Sequence, residues 1–447
     1  MKAYERLLKY VVVRTPSDEE STAVPSSDCQ FELANMLVKE LQELGVANAY
    51  IDDKCFVYGK IPATKGYENS PKIGFMAHMD TVSDFCDHDI VPVITENFNG
   101  EDLVLGTSGR VLKVKDFPHL PSLKGRSLIT SDGNTILGVD DKAGIAEIMT
   151  AVERLMNANI PHGQICVAFT PDEEIGTGSH SFNVPEFDAD FAYTLDGDCE
   201  GEIQYENFNA CSAKFEIEGF SVHPGSAKDT MINACLVAMD INHLLPGADT
   251  PRNTEGYEGF FHLTDMSGDV GHATLNYIVR DHNMETYEAR KNTLRHIEKS
   301  MNKKWGEGTV TLTIKEQYCN MAEIIEPCMH LIENAKKAAQ NIGITPVVTP
   351  IRGGTDGSHL SFEGLPCPNL GTGGYAFHGP YEHTTIEGMD KATDMILELI
   401  SLYAKKWYVK RPTGESLSSP VGHFYASLIS YLKYCTPDSK IFRSCSP

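Results

Sequence analysis

The chain has 447 residues, which exceeds the usual size of a single hydrophobic core and predicts two domains. Its content of 41% hydrophobic and 22% charged residues is that of an ordinary globular protein. A formal net charge of -24, from 38 basic and 62 acidic side chains, argues against nucleic acid or an anionic membrane surface as a partner.

Residues 1–207 alternate between helix-like and strand-like segments. A helical spacing of apolar residues covers 31–44, and a second helix is predicted over 142–156. Short continuous apolar runs are typical of strands buried on both faces, and they occur at 73–77, 164–169 and 191–195. This alternation predicts a mostly parallel sheet covered by helices.

The pattern changes between residues 208 and 318, where the predicted order is β-α-β-β-α-β. The segments are a strand at 210–218, a helix at 226–245, two strands within 256–280, a charged helix at 285–304 and a strand at 309–315. Residues 319–409 return to the first pattern and end in a helix predicted over 390–406.

The predicted fold class is therefore α/β, with a catalytic domain interrupted by an inserted lid. The catalytic domain comprises 1–207 and 319–409, and the β-α-β-β-α-β lid or dimerisation domain comprises 208–318. The Ser/Pro-rich tail at 410–447 fits either a short docked helix or a disordered end.

The cysteines and the N-terminus indicate a soluble cytoplasmic protein. Twelve Cys occur without a CxxC pair in a chain too long to be a disulfide-stapled mini-domain. The first ten residues are mixed and amphipathic rather than signal-like, and no apolar run is long enough to span a bilayer.

Residues of the kind that ligate metals follow three of the predicted strands. They are His78 and Asp80 after the first, Glu173 and Glu174 after the second, and Asp196 after the third. A further acidic pair, Asp140 and Asp141, opens a predicted helix. Any one of these motifs alone is weak, but strand ends converge at one edge of an open α/β sheet. Histidine with carboxylates suits zinc or a similar divalent ion.

Four segments together resemble the signature of the aminoacylase/carboxypeptidase family of dizinc peptidases. They are 77–80 (AHMD), 138–144 (GVDDKAG), 170–176 (TPDEEIG) and 193–197 (YTLDG). A closer resemblance, to the tripeptide aminopeptidases of that family, is found at 222–225 (VHPG), 254–260 (TEGYEGF), 351–357 (IRGGTDG) and 373–379 (GGYAFHG). The resemblance covers roughly residues 1–409.

The resemblance implies a set of metal ligands. His78 and Asp196 would hold one zinc, Glu174 and His378 would hold the other, and Asp140 would bridge the two. The bond between Asp140 and Asp141 is expected to be a cis peptide.

Three further expectations concern the surroundings of these ligands. Asp80 would accept a hydrogen bond from the far nitrogen of His78, and Glu173 would act as general base and later as acid. His383 is an alternative to His378, which is preferred because a Glu follows it four positions later.

Substrate-binding residues are expected mainly in the lid. By resemblance, His223 would stabilise the oxyanion, within one subunit or across a dimer; the alternative is a purely structural loop histidine. Arg280 and Arg352 are candidates for the substrate carboxylate, because a guanidinium binds carboxylate at two points. Asn233 could add a contact or be merely solvated.

The resemblance implies an aminopeptidase that removes the N-terminal residue from tripeptides. The expected cofactors are two Zn²⁺ per subunit, with Co²⁺ or Mn²⁺ able to substitute. The expected partners are short peptides and a second copy of the chain. The alternatives are a dipeptidase or an N-acyl amino acid deacylase on the same scaffold, and a non-catalytic homologue.

Overall fold

The structure is a computed structural model that describes residues 1–158 and 160–409. The predicted tail at 410–447 lies outside the described residues. The described chain forms two compact units. Unit 1 comprises Met1–Asn207 and Asn320–Val409, and unit 2 comprises Phe208–Cys319.

The helices and strands are numbered in chain order. The first part of unit 1 contains α1 (Ala3–Tyr10), α2 (Gln30–Glu43), β1 (Tyr50–Ile51), β2 (Val57–Ile61), β3 (Ile73–His78), β4 (Pro92–Thr95), β5 (Leu103–Val104), β6 (Val111–Leu112), β7 (Leu128–Ser131), α3 (Val139–Asn157), β8 (Ile165–Thr170), α4 (Val184–Phe187), β9 (Phe191–Gly197) and β10 (Glu202–Gln204). Unit 2 contains β11 (Asn209–Glu218), α5 (Ala234–Leu244), β12 (Phe260–Gly268), β13 (His272–Asp281), α6 (Met284–Trp305) and β14 (Val310–Tyr318). The second part of unit 1 contains α7 (Ala322–Ile325), α8 (His330–Asn341), β15 (Val347–Val348), α9 (Asp356–Phe362), β16 (Asn369–Gly371), β17 (Gly374–Tyr375), β18 (His383–Thr385) and α10 (Ile386–Val409).

Unit 1 is built on an eight-stranded sheet in the order β1-β2-β8-β3-β9-β16-β10-β15. The four central strands, β8, β3, β9 and β16, run parallel. On either side, β2 pairs antiparallel with β8 and β10 pairs antiparallel with β16. At one edge of the sheet, β15 pairs parallel with β10. The predicted α/β class is confirmed, and antiparallel pairings flank the sheet's parallel centre on both sides.

Alternate side chains of the central strands pack into two separate hydrophobic clusters, as the two-residue period of a strand requires. On β3, Phe75 and Ala77 belong to the larger cluster, and Met76 belongs to a second cluster. The larger cluster also contains apolar side chains of α1, α2, α3, α8 and α10. The sheet is therefore covered on both faces, which explains why its strands read as continuous apolar runs.

A second, four-stranded sheet in unit 1 has the order β17-β18-β7-β4, and β5 pairs with β6. The sequence analysis predicted no strand between residues 81 and 137, because these strands have only two to four residues each. The pairing of β18 with β7 is antiparallel, with Thr384 opposite Ile129. This sheet fixes the chain on both sides of the segment that bears His378.

Unit 2 contains one antiparallel sheet in the order β12-β13-β11-β14, with two helices packed into its hydrophobic cluster. Its elements follow one another as β-α-β-β-α-β. The helix start predicted at residue 226 is wrong, because α5 begins at Ala234. Asp229 has a left-handed φ of 58°, and the Asn233 side chain accepts the Leu236 N–H as an N-cap.

Candidate metal centre

The carboxyl ends of three parallel strands bring the predicted ligands to one edge of the main sheet. His78 is the last residue of β3, and it lies opposite Thr170, the last residue of β8. Glu173 and Glu174 follow in the next turn of the chain, and Asp196 lies near the end of β9. The strand register therefore places these side chains together, as is usual in open α/β sheets.

Asp140 lies between two histidines. Its Oδ1 is 2.9 Å from Nε2 of His78, and its Oδ2 is 3.1 Å from Nε2 of His378. Each histidine nitrogen faces one further carboxylate, Asp196 at 3.5 Å from His78 and Glu174 at 3.1 Å from His378. The Asp140 carboxylate thus lies between two similar groups of donor atoms, each made of one histidine nitrogen and one further carboxylate oxygen. This arrangement suits a pair of cations.

The donor atoms fit divalent metal ions. Ligand atoms of His78, Asp140 and Glu174 all lie within 4.8 Å of one another, and so do those of His78, Asp141 and Asp196. Glu174 Oε1 is buried and has no hydrogen-bond partner among the described residues. An orphaned buried carboxylate oxygen is costly, and a coordinated cation would satisfy it. Nitrogen and oxygen donors of this kind accept several divalent ions.

Asp141 belongs to one of these groups although no ligand role was predicted for it. Its two carboxylate oxygens accept the main-chain N–H groups of His78 and Gly144, each at 3.2 Å. Asp141 thus fastens the start of α3 to the end of β3. The peptide bond between Asp140 and Asp141 is cis, which confirms that prediction.

Hydrogen bonds with carboxylates raise the pKa of both histidines. Burial lowers the pKa of His78, but hydrogen bonds to Asp140 and Asp196 raise this pKa well above its ordinary value. Hydrogen bonds to Asp140 and Glu174 raise the pKa of His378 to about 11. Burial opposes ionisation of Asp140, yet the two histidines keep its pKa below the ordinary value. The lowered pKa favours the ionised form of Asp140, which paired metal cations would also stabilise.

The remaining carboxylates of the centre repel one another. Burial and the charge of Asp196 raise the pKa of Glu173 well above its ordinary value, and burial also raises the pKa of Glu174. Burial raises the pKa of Asp196 to about 6. Burial by the surrounding protein and the Glu202 charge raise the pKa of Asp198 to about 7, although this side chain is accessible to solvent. Such a concentration of negative charge favours bound cations.

The Asp80 carboxylate holds the turn that contains Glu173 and Glu174, here called the acidic turn, by accepting main-chain N–H groups of that turn. Its Oδ1 and Oδ2 accept the N–H groups of Glu173 and Glu174 at 3.0 and 3.1 Å. Nδ1 of His78 is 3.1 Å from the Asp80 carbonyl oxygen and 3.4 Å from the Asp80 carboxylate. The far nitrogen of His78 therefore faces Asp80, with the carbonyl as the nearer acceptor. The Glu173 carboxylate makes no hydrogen bond to any residue that the structure describes.

Two aspartates that the sequence analysis did not single out also support the acidic turn. The buried carboxylate of Asp172 accepts hydrogen bonds from the Ser26 N–H, the Ser26 hydroxyl and the Gln30 amide, at 2.7, 2.6 and 2.7 Å. The Asp356 carboxylate accepts the Thr170 hydroxyl at 2.8 Å and the Ser179 N–H at 3.0 Å. The carboxylates of Asp80, Asp172 and Asp356 thus hold the acidic turn and its neighbouring segments in place.

Glu382 supports the main chain of Asp140, a role that the sequence analysis missed. One carboxylate oxygen accepts the N–H groups of Leu137 and Gly138 at 2.7 Å each, and the other accepts the Asp140 N–H at 2.9 Å. Burial raises the pKa of Glu382 to about 7 despite these three donors. The only sequence signal was its position four residues after His378.

The structure separates His378 from the alternative, His383. His378 lies with Asp140 and Glu174, on a backbone with a left-handed φ of 62°. His383 is buried elsewhere, with its Nε2 2.8 Å from Nε2 of His119 and its ring stacked on that histidine. Among the two, only His378 is in contact with the carboxylates of the metal centre.

Of the predicted substrate-binding residues, Arg352 lies in unit 1, in the bend before α9. His223, Asn233 and Arg280 belong to unit 2. Nδ1 of His223 accepts the Gly225 N–H at 3.1 Å, and the ring is exposed. Nη1 of Arg280 donates to the carbonyls of Cys211 and Val279 and, at 2.9 Å, to Gln317 Oε1.

Comparison with known proteins reveals extensive similarity. Residues 128–402 match the model of peptidase family M20/M25/M40. The chain is 52% identical to Peptidase T of Clostridium perfringens over 406 residues, which cover 91% of this chain and 100% of that protein. It is 48% identical to Peptidase T of Alkaliphilus oremlandii over 404 residues, 90% of this chain and 99% of that protein.

Solved structures show the same fold. The crystal structure of aminopeptidase PepT from Bacillus cereus aligns with a TM-score of 0.72 at 24% identity, over 90% of this chain and 98% of that chain. A tripeptidase structure from Staphylococcus aureus aligns with a TM-score of 0.73 at 21% identity, over the same shares of the two chains. No helix in the described part of the chain is long and apolar enough to cross a membrane.

Proposed function

The chain belongs to peptidase family M20/M25/M40, and we propose that it is a two-zinc aminopeptidase that removes the N-terminal residue from tripeptides. The position of Asp140 between His78 and His378, each facing a further carboxylate, is the observation that carries this proposal. The similarity to Peptidase T along nearly its whole length supports it further.

His78 and Asp196 would hold one zinc, His378 and Glu174 would hold the second, and Asp140 would bridge them. Divalent cations held by this set would supply Lewis acidity, which polarises a scissile carbonyl and lowers the pKa of an attacking water. The orphaned oxygen of Glu174 supports this assignment, because it lacks any other partner in the described chain. Co²⁺ or Mn²⁺ could replace zinc at such donors.

Glu173 would take a proton from the attacking water and return it to the leaving amine. Asp80 fixes its main chain, and no hydrogen bond with a described residue ties up its carboxylate. Burial raises the pKa of Glu173, which favours the protonated form that must later act as the acid. Asp80 acts by positioning Glu173 and His78.

The substrate-binding assignments are part of the same proposal. His223 would donate to the oxyanion from Nε2, because its Nδ1 already accepts the Gly225 N–H and the neutral ring then bears its proton on Nε2. Arg280 and Arg352 would bind the carboxylate of a short peptide. Asn233 would add a contact through its amide N–H₂, since its oxygen caps α5.

A second copy of this chain is the proposed partner, apart from short peptides. Unit 2 has an edge strand, β12, and an exposed apolar face on α5 formed by Leu236, Met239 and Leu244. Large exposed apolar side chains of this kind are typical of interfaces. Sedimentation at working concentration tests the homodimer.

A cytoplasmic location is proposed from the thiols, because the ten cysteines in the described chain are unpaired.

A peptide-length panel with metal analysis tests the activity. The zinc-loaded protein is assayed on di-, tri- and tetraalanine, N-acetyl-trialanine and N-acetylalanine. We expect two zinc ions per chain and the highest kcat/KM on trialanine, with release of its N-terminal residue. Preference for the dipeptide or N-acetylalanine would instead identify a dipeptidase or deacylase, and no turnover with bound zinc would identify a non-catalytic homologue.

A further inference from the structure

Asp198 is fixed at the metal centre by its main chain. It directly follows β9, two residues after the proposed ligand Asp196. Its N–H donates to Glu202 Oε2 at 2.7 Å, and its carbonyl accepts the N–H groups of Gly373 and Gly374 at 2.8 and 3.2 Å. Asp198 therefore joins the end of the strand that bears one ligand to the segment that leads to His378.

The Asp198 side chain, in contrast, has no partner. Its carboxylate is exposed and makes no hydrogen bond or ion pair with any residue that the structure describes. Asp80, Asp172 and Glu382, which lie around the centre and are not proposed ligands, accept main-chain or side-chain hydrogen bonds. Glu173, the proposed general base, is the other carboxylate there without such a bond to a described residue. The fixed backbone therefore leaves the Asp198 carboxylate free to contact a ligand.

The charge around Asp198 selects the sign of that ligand. Asp196 lies two residues before Asp198, and a Glu202 carboxylate oxygen lies 2.7 Å from the Asp198 main-chain nitrogen. This negative charge favours a cation at the Asp198 carboxylate over an anion. Asp198 is not a member of the clusters of converging metal-ligand atoms found in the described chain. A metal ion is therefore assigned to those clusters, and a different cation remains for Asp198.

We propose that Asp198 binds the free α-ammonium group of the substrate's N-terminal residue. This inference rests on the proposed aminopeptidase function, in which the carbonyl under attack belongs to the residue that bears the ammonium group. The ammonium group then lies two bonds from the reacting carbon and has to be bound close to the ligands. A carboxylate at that place selects peptides with a free N-terminus and disfavours N-acylated substrates.

Binding of two hydroxamates tests the assignment without turnover. The probes are alanine hydroxamate and propionohydroxamate, which differ only in the amino group. The wild-type zinc enzyme is expected to bind the amino compound more tightly. Asp198→Asn keeps the main-chain contacts and should reduce that preference roughly 10- to 100-fold, the effect of losing a charged hydrogen-bond partner. An unchanged preference in the variant, or no preference in the wild type, would overturn the proposal.

Kinetics separate this inference from the proposed function. Asp198→Asn should lower kcat/KM for trialanine by a similar factor, mainly through KM, and leave propionyl-alanyl-alanine unaffected. Glu363→Gln is the matched control, because Glu363 is an exposed carboxylate directly after α9 and is not among the residues of the metal centre. This variant should cleave both substrates as the wild type does. Zinc content should equal that of the wild type, and loss of zinc would show that Asp198 supports the metal site instead. If the hydroxamate preference depends on Asp198 but trialanine is not cleaved, the tripeptidase function fails and the ammonium site stands.

Discussion

Replacement of Glu382 by Gln tests how the metal bridge is held in place. The Glu382 carboxylate is 1% exposed and accepts three main-chain N–H groups, two on one oxygen and that of Asp140 on the other. A Gln side chain has only one oxygen, which can keep the two donors of Leu137 and Gly138. Its N–H₂ group then faces the Asp140 N–H, so that two donors oppose each other.

The size of the effect follows from these contacts. Losing one hydrogen bond to a charged group costs about 1.5–3 kcal/mol, and converting the other two to neutral bonds weakens each by roughly 0.5–1 kcal/mol. We therefore expect a loss of about 2.5–5 kcal/mol in the free energy of unfolding of the metal-free protein. Because Asp140 would bridge both cations, zinc affinity should also fall about 10- to 100-fold, as for other residues that orient metal ligands.

Urea unfolding in EDTA measures the stability, and competition with a chromogenic chelator measures the zinc affinity. Glu387→Gln is the matched control, because Glu387 also accepts a main-chain N–H, from Ser127 at 2.9 Å, but is exposed at the start of α10. This control should change stability by no more than about 0.5 kcal/mol. Wild-type zinc affinity in Glu382→Gln would refute the idea that Glu382 positions the bridge.

Three further predictions concern single side chains. Glu173→Gln should keep both zinc ions and lower kcat by about 10²–10⁴-fold; unchanged turnover on trialanine would remove Glu173 from the proton transfer. Asp140→Ala should lose both zinc ions or their close pairing, and elemental analysis that still finds two tightly bound ions would contradict the bridge. Glu147 is fully buried, neither of its oxygens has a partner among the described residues, and burial raises its pKa well above the ordinary value. A raised pKa of an acid in the folded state means that stability is fully present below the unfolded value and declines as pH rises through the folded value. The stability of Glu147→Gln relative to the wild type should therefore increase when the pH is raised from 5 to 8, as measured by urea unfolding. The same difference in unfolding free energy between variant and wild type at pH 5 and at pH 8 would contradict this reasoning.

The sequence was sufficient to predict the edge of the sheet at which the ligands meet. β3, β8 and β9 are buried on both faces, so each reads as a continuous apolar run whose end can be located. The polar residues His78 and Asp196 stand at those ends because the chain leaves the core there. The cis bond after Asp140 was predicted from the family resemblance alone.

The roles of other features could not be inferred from the sequence. Asp172 and Glu382 act by accepting N–H groups from distant segments, and such contacts have no fixed spacing along the chain. The strands β4, β5, β6 and β7 are too short for a periodic pattern. The start of α5 was predicted too early because apolar spacing does not register the left-handed backbone at Asp229 or the cap at Asn233.

The central claim is that one carboxylate, Asp140, joins two metal cations, each held by a histidine and a second carboxylate. Diffraction from crystals of the zinc-loaded protein, measured above and below the zinc absorption edge, tests it most directly. Two anomalous peaks are expected on opposite sides of Asp140, one beside His78 and Asp196 and the other beside His378 and Glu174. A single peak, or peaks away from these side chains, would contradict it.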